Sequence, residues 1–536
     1  MKKLIALLLA LCLCLGLVAC GGEGNKDDAP QSDVTLNVWA IENSAVTDYA
    51  TNGQSVWMQE QTGINVNWMA VPAQGWYNAF QASVMGEEAV DIYLYPFDTM
   101  ETEMLGNDMS YIIPLEDLIT KENTPNIWAI LEANPSLKAQ ITTPSGHIYT
   151  LFANDVYQLN AYTQKLWVNR YFLEKYTAET GKGLPQTTAE FEAMLVYFNT
   201  HDMNGDGQQN EIPYIGVDGV DGMYNLFGAF LPTTSNSNGF GCYTDESGKL
   251  TFAYHQEAYR DALAYAAGLY KQGLIHADTF TTSYDERYAF TSGMPGTVRA
   301  GVVTGVTAAD VVQLSSESGS MTYDDYVALP PLAGPNGVRT IVSTGETAVS
   351  LRNAITKHCT DPVAAIKWLD AGYSDAARMF SVYGGLENEA WSYADGENLN
   401  GKGKIITSLN TGAENAYWGS QGIVCRITEE DYLSMDATQI ATNSDLATYR
   451  ANLAYRPYMV QNQWPSIIWP SDFGDEPAEY GNLIQLINPT VTEYYTAVIL
   501  GQKNLDGDWD VYTKNLSELG VDRFVELVEL YINAGK

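Results

Sequence analysis

Positive charge is scarce in this chain. Its 536 residues carry 28 Lys and Arg against 65 Asp and Glu, a formal charge of −37. A field of that sign repels phosphate backbones, which excludes nucleic acid as a partner. Histidine is scarcer still, with five copies far apart, and no HExxH pair that would form a zinc-protease helix. Of six cysteines, Cys12, Cys14 and Cys20 fall within the first twenty residues, and Cys242, Cys359 and Cys425 are widely separated. No CxxC occurs, so neither a zinc ribbon nor a dithiol redox motif is written here; the last three cysteines allow one disulfide, with its partners open. Also missing are a GxxxxGK[ST] phosphate loop, a GxGxxG turn and a GxSxG elbow. Paired glycosidase carboxylates leave no fixed spacing in a sequence, so that class stays open.

An unbroken apolar run, Leu4 to Ala19, follows Lys2 and Lys3 and precedes Cys20. Basic, apolar and small-residue zones in that order are those of a secretory signal. The run is short for a membrane span of about 20 residues. Leu17-Val18-Ala19-Cys20 has the form of a lipobox, which makes 1–19 a signal peptide and Cys20 the lipidated residue. Residues 20–33 contain Gly, Asp and Pro but no large apolar side chain, and are expected to be a flexible tether. The expectation is a monomer held at the extracytoplasmic face of the cell membrane by its lipid anchor only.

The body has globular composition, 46% hydrophobic and 17% charged, and exceeds what one core supports. Val34 to Ala40 alternates and predicts a strand; a helix follows over Ser55 to Thr62, ended by Gly63. INVNWMAVP predicts a second strand, WYNAFQASVMGEEAV a helix, and Asp91 to Phe97 a third strand. Strand and helix in alternation imply a parallel sheet, an open α/β lobe. The same grammar returns in the middle of the chain. Thr188 is expected to cap a helix presenting Phe191, Met194, Leu195 and Phe198, and AGVVTGV to be a buried strand. Pro362 opens another helix, and DWDVYTKNLSELG and VDRFVELVELYINAG close the chain as two more.

The stretch HDMNGDGQQNEIPY, His201 to Tyr214, stands out. Counted from Asp202, oxygen ligands fall on Asp202, Asn204, Asp206, the Gln208 carbonyl, Asn210 and Glu211. Such alternation lets a tight loop turn successive oxygens onto a hard cation, and Gly205 and Gly207 supply the positive φ the turn needs. Position twelve is Pro213 rather than Glu, so the EF-hand pattern is broken and Glu211 becomes the bidentate candidate. The alternative is a bare Asx-rich turn. Structural Ca²⁺ fits better than Mg²⁺, which prefers small octahedral sites with retained waters.

Taken in order, the lipobox, GHIYTLF, LWVNRYFLEKY, LPQTTAEFEAMLVYF, the acidic loop, FAYHQEAYRDALAYAAGLYKQGLIHADTFT, YVALPPLAGPNG, AAIKWLDAGYS, YGGLENEAWSYADG and DWDVYTKNLSELGVDRF form a pattern. It resembles the family 1 extracellular solute-binding proteins of bacterial ABC importers, in the branch that includes alginate-oligosaccharide binders. The resemblance implies a bilobal periplasmic-binding-protein-like fold of type II, two open α/β lobes joined by hinge strands. It also implies calcium in the 202–211 loop, and as partners an oligosaccharide, ABC permease subunits and a separate ATPase. The lobes are expected to comprise 34–157 plus 325–385 and 158–324 plus 386–536. The crossings are expected near Tyr149 to Leu166, Asp324 to Pro330 and Tyr383 to Trp391. The sequence departs from the family at Thr304-Gly305-Val306, where a Gly-x-Trp often supplies a sugar-stacking ring.

Sugars need flat apolar faces and planar polar groups, and this chain has 12 Trp and 35 Tyr. Open sheets bind ligands beyond the carboxyl ends of their strands. That rule selects Trp39 and Glu42 after the first strand, Tyr95 after the third and Glu346 after the returning strand, with Trp391 and Trp418 in later loops. Each could equally be a packing residue. The expected function is a lipid-anchored, non-enzymatic receptor that captures a carbohydrate between its lobes. The alternatives are an exported glycoside hydrolase or lyase, or a sensory or adhesion lipoprotein of the same fold.

Overall fold

The structure is a computed structural model. It describes residues 34–534 apart from 44–45, 144, 154–163, 218–222, 233–240, 246, 344–349, 410–414, 419–428 and 462–473. Cys20, the tether, Glu346 and Cys425 lie outside the described residues.

Strands β1 (Thr35–Ile41), β2 (Asn65–Val71) and β3 (Ile92–Phe97) are parallel, with β1 between the other two. A helix carries the chain back each time, as parallel pairing requires. The first helix, Gly53–Thr62, is capped by the Asn52 side chain and stopped by Gly63 at φ 67°, a left-handed position that suits glycine. After β4 (Thr150–Ala153) the chain builds a second sheet from β5 (Lys165–Asn169), β6 (Ile212–Ile215), β9 (Ala300–Gly305) and β10 (Tyr326–Leu329), with β7 (Cys242–Thr244) and β8 (Leu250–Phe252) forming a small hairpin on the way. The order is β10-β5-β9-β6, with β6 and β9 parallel and β5 antiparallel to both neighbours. Past β11 (Ile341–Ser343), β12 (Ser350–Ile355) returns to the first sheet, antiparallel between β3 and β4. A hairpin of β13 (Trp391–Asn398) and β14 (Gly401–Ser408) follows, and β15 (Met459–Gln461) pairs with β11.

Each sheet organises its own core. Trp39, Ile92, Tyr93, Leu151, Ile355 and Trp368 belong to the first. The second sheet is covered on both faces: Leu166, Val168, Tyr214 and Val302 pack on one side, and Trp167, Ile212, Ile215 and Val303 on the other. Neighbouring residues of one strand divide between the two cores because strand side chains alternate. The molecule is therefore a two-lobed α/β protein. Among the described residues no helix is long and apolar enough to cross a membrane.

Three local expectations shift. The helix at Thr188–Thr200 is capped by Thr187, whose hydroxyl accepts from Glu190 N in a capping box. β10 pairs with β5, so the chain is still in the second lobe at Leu329, and it changes lobes between there and Ser350 rather than at 324–330. The segment Asn415–Trp418, beyond the β13–β14 hairpin, still rests on the first lobe: Gly53 N donates to Asn415 O at 3.0 Å, and Trp418 joins the first core. The hairpin before it also touches the second lobe, where Leu399 packs on the core and Ile406 N donates to Ser434 O. By Glu429–Leu433 the chain is on the second lobe, where Tyr432 stacks on Tyr449.

Candidate functional site

The segment 154–163 joins the end of β4 to the start of β5, and β11 leads back to the start of β12. These connections tie the carboxyl-terminal ends of β1, β2 and β3 to the edge of the second sheet formed by Lys165 and Gly305, which are paired. Open α/β sheets bind ligands at such carboxyl-terminal edges.

At the first edge lies a cavity of about 640 Å³, lined by Glu42, Asn43, Val46, Thr47, Asp48, Tyr49, Trp68, Ala70 and Ala73. Tyr49 is fixed by its hydroxyl, which donates to Ile41 O at 2.7 Å. Its ring stacks on Trp68 with centroids 4.8 Å apart and planes 23° from parallel. Trp68 is half-buried on the edge strand β2 and is braced edge-on by Trp418 and Trp368. Burial, helped by the nearby Glu42 carboxylate, pushes the Tyr49 hydroxyl up to about 12, so it stays protonated. The 415–418 segment laces the rim. Asn415 Oδ1 accepts from Thr47 N and Asp48 N, and Asn43 Nδ2 donates to Trp418 O at 2.8 Å. Asn415 has φ 58°, a left-handed conformation that Asn tolerates.

Of the expected ligand residues, Glu42 lies on this cavity and is exposed. The aromatic ones do not offer a face. Trp39 is 1% exposed and packs among Phe80, Tyr93 and Tyr95. Tyr95 stacks on Phe80 at 3.9 Å and its hydroxyl donates to Glu101 Oε1. Trp418 is 1% exposed and its Nε1 donates to Ser55 Oγ. Trp391 is buried with Met379, Ala390 and Ile406, its Nε1 donating to Gly385 O. They are core residues because β1, β3 and the 415–418 segment are covered, whereas the edge strand β2 is not. Trp68 and Tyr49 were not singled out from the sequence; the signal available was a Trp in an alternating strand, which becomes informative only once that strand is known to be an edge.

At the second edge, Lys165 Nζ donates to Val306 O at 2.7 Å, and burial pulls the ammonium down to about 7 against the opposing effect of Asp310. Gln164 Nε2 donates to Tyr284 Oη. The Thr304-Gly305-Val306 segment carries no ring, as its sequence requires.

The acidic loop lies far along the chain from this cleft, between the Thr188–Thr200 helix and β6. Asp202 accepts from Gly205 N and Gly207 N, Asn204 from Asp206 N, Asp206 from Gln208 N and Asn210 Nδ2, and Glu211 from Met203 N and Asn210 N. These bonds, chiefly the one from Asn210, hold the Asp206 carboxyl below its ordinary value. Gly205 and Gly207 have φ 78° and 79°. The buried Asn210 Oδ1 has no hydrogen-bond partner, an acceptor consistent with a cation ligand. Among the described residues no group of three or more His, Cys, Asp or Glu is gathered as a metal site; this loop's donors are instead mixed carboxylates, amides and a carbonyl.

The architecture is that of a bilobal solute-binding protein. In sequence the chain is similar to the fructooligosaccharide ABC transporter substrate-binding protein FusA of Streptococcus pneumoniae, with 25% identity over 445 residues, covering 78% of this chain and 75% of FusA. The structure of a FusA EF-hand mutant in complex with fructo-nystose superposes with TM-score 0.66 at 21% identity, over 93% of this chain and 99% of that one. An HMO-binding ABC-transporter-associated solute-binding protein from Bifidobacterium longum infantis gives 0.69 at 19%, over 94% and 99%. The alginate-binding protein AlgQ2, solved without calcium ion, gives 0.56 at 18%, over 95% and 100%. No family model matches the chain.

Proposed function

We propose that this protein is the receptor of an ABC importer, that it captures an oligosaccharide between its lobes, and that it delivers the sugar intact to permease subunits powered by a separate ATPase. The observation that carries the reading is the cavity at the carboxyl ends of β1 and β2, where the stacked Tyr49 and Trp68 rings adjoin the Glu42 carboxylate. The half-buried Trp68 ring, backed by the buried Tyr49, matches the C–H face of a sugar, and a carboxylate accepts from its hydroxyls. The FusA homologue is a fructooligosaccharide receptor, which supports the same ligand class. Cys20 would carry the lipid anchor and the monomeric body would work at the extracytoplasmic face. A thermal-shift screen against plant and host oligosaccharides tests the reading, since a ligand of the native state raises the melting temperature. A screen in which no oligosaccharide does so overturns it.

The same proposal assigns a structural Ca²⁺ to Asp202, Asn204, Asp206, Gln208, Asn210 and Glu211. Three acids crowded into ten residues, with backbone N–H groups already organising their carboxylates, suit a hard cation with six to eight oxygen ligands. The existence of a FusA EF-hand mutant supports a cation loop in this fold. The ion would cross-link the end of one helix to the start of β6 and so stabilise the second lobe.

A further inference from the structure

We infer that the first-lobe wall of the cleft selects neutral oligosaccharides and rejects uronate-bearing ones, with Glu42 and Asp48 as the discriminating residues. The inference rests on the oligosaccharide reading above and narrows it. From Val34 to Thr120 the chain has no Lys, Arg or His, against twelve Asp and Glu. That span supplies β1, β2 and β3, their carboxyl-end loops, and every residue lining the 640 Å³ cavity. Arg352 is the one base in the strands of this sheet; it sits on β12, two strands from β1, and gives its Nε to Ser350 Oγ.

The two acids differ in what holds them. Asp48 accepts from Ala50 N and Thr51 Oγ1, so its charge is fixed at the rim. Glu42 is exposed, and among the described residues no donor is placed on its carboxylate. A neutral sugar brings hydroxyl donors to both. A uronate brings one carboxylate per sugar unit and meets no cation on the cavity wall. Like charges a few ångströms apart in a partly shielded cleft cost about ten-fold in affinity or more, and salt screens that cost.

The test is titration calorimetry of the full chain with a neutral oligosaccharide that scores in a glycan screen, and with tetragalacturonate and an alginate tetramer, at low and high salt. The neutral sugar should bind with salt-independent affinity, and the uronates at least about ten-fold more weakly, the gap narrowing in high salt. Glu42→Gln, alone and with Asp48→Asn, should narrow the gap by about ten-fold by favouring the uronate relative to the neutral sugar. Glu42→Gln removes no bond within the protein, so it remains readable if the double variant unfolds. Uronates binding as tightly as neutral sugars at low salt, or a gap untouched by Glu42→Gln, would overturn the inference while leaving the receptor reading standing. Failure of every sugar of both classes overturns both.

Discussion

The Tyr49 ring lies on the Trp68 indole, centroids 4.8 Å apart, and both side chains line one cavity at the carboxyl ends of β1 and β2. Tyr49 comes from a connecting loop and Trp68 from an edge strand, so the platform exists only in the folded lobe. Trp68→Ala should weaken oligosaccharide binding about 10-fold or more, the loss typical of an aromatic anchor. Calorimetry checks the affinity, and an unchanged far-ultraviolet dichroism spectrum checks the fold. Unaltered affinity would remove Trp68 from the site.

Trp418 should behave differently. It is fully buried, its Nε1 donates to Ser55 Oγ, and its main-chain N–H donates to Gln54 Oε1. Trp418→Ala should therefore cost about 3–5 kcal/mol of stability by leaving a cavity, measured as a lower denaturant midpoint. Any loss of affinity should follow from the disordering of Trp68, which Trp418 braces.

The Ca²⁺ proposed for the 202–211 loop predicts a dependence on chelator. EDTA should lower the melting temperature of the parent protein, through a loss of about 3 kcal/mol of stability if the ion was present at a hundred-fold excess over Kd. Asp206→Ala and Glu211→Ala should each melt lower and no longer respond to EDTA. A parent protein that melts identically with and without EDTA, and carries no calcium by elemental analysis, would sink the assignment.

Glu101, at the helix that follows β3, is pushed up to about 7, first by burial and then by Asp98. A carboxyl whose folded value is raised binds its proton more tightly in the folded state, so stability is greatest below its unfolded value and declines as pH rises. The window runs from about 4.5 to about 7. Because Glu101 is partly open to solvent, the change should be on the order of 1 kcal/mol. Glu101→Gln should flatten this part of the stability-against-pH curve, and a variant with the parent's slope would assign it to other groups.

Arg378, on the first-lobe helix Asp375–Tyr383, bridges Asp375 and the buried Asp431 of the second-lobe helix Glu429–Leu433. Arg378→Ala strips Asp431 of this guanidinium and should cost about 3 kcal/mol or more, read as a lower urea midpoint with the slope unchanged. Arg378→Lys should recover only part of the loss, since an ammonium lacks the planar, preorganised set of donors of a guanidinium. Equal stability of all three proteins would show that the pair contributes nothing.

The elements were largely legible in the sequence. β1, the Gly63 stop, the third strand, the Pro362 start and the two C-terminal helices all follow from local patterns. What local pattern cannot carry is pairing. Nothing in YVALPP shows that β10 lies antiparallel to β5, so the lobe boundary drawn there fell early. The rule that ligands bind beyond the carboxyl ends of strands selected Glu42, which lines the cavity. It also selected Trp39 and Tyr95, because which face of a strand is covered depends on neighbours distant in sequence. Trp68 needed the knowledge that β2 is an edge.

On the proposed function, two lobes close over a sugar that they do not cleave. Small-angle scattering during titration with a neutral oligosaccharide tests it most directly, with the recovered sugar examined by chromatography. The account predicts a saturable fall in the radius of gyration and an unchanged sugar, because the ligand acts by preferring the closed state. A radius that stays constant through saturation, or a sugar recovered in pieces, would contradict it.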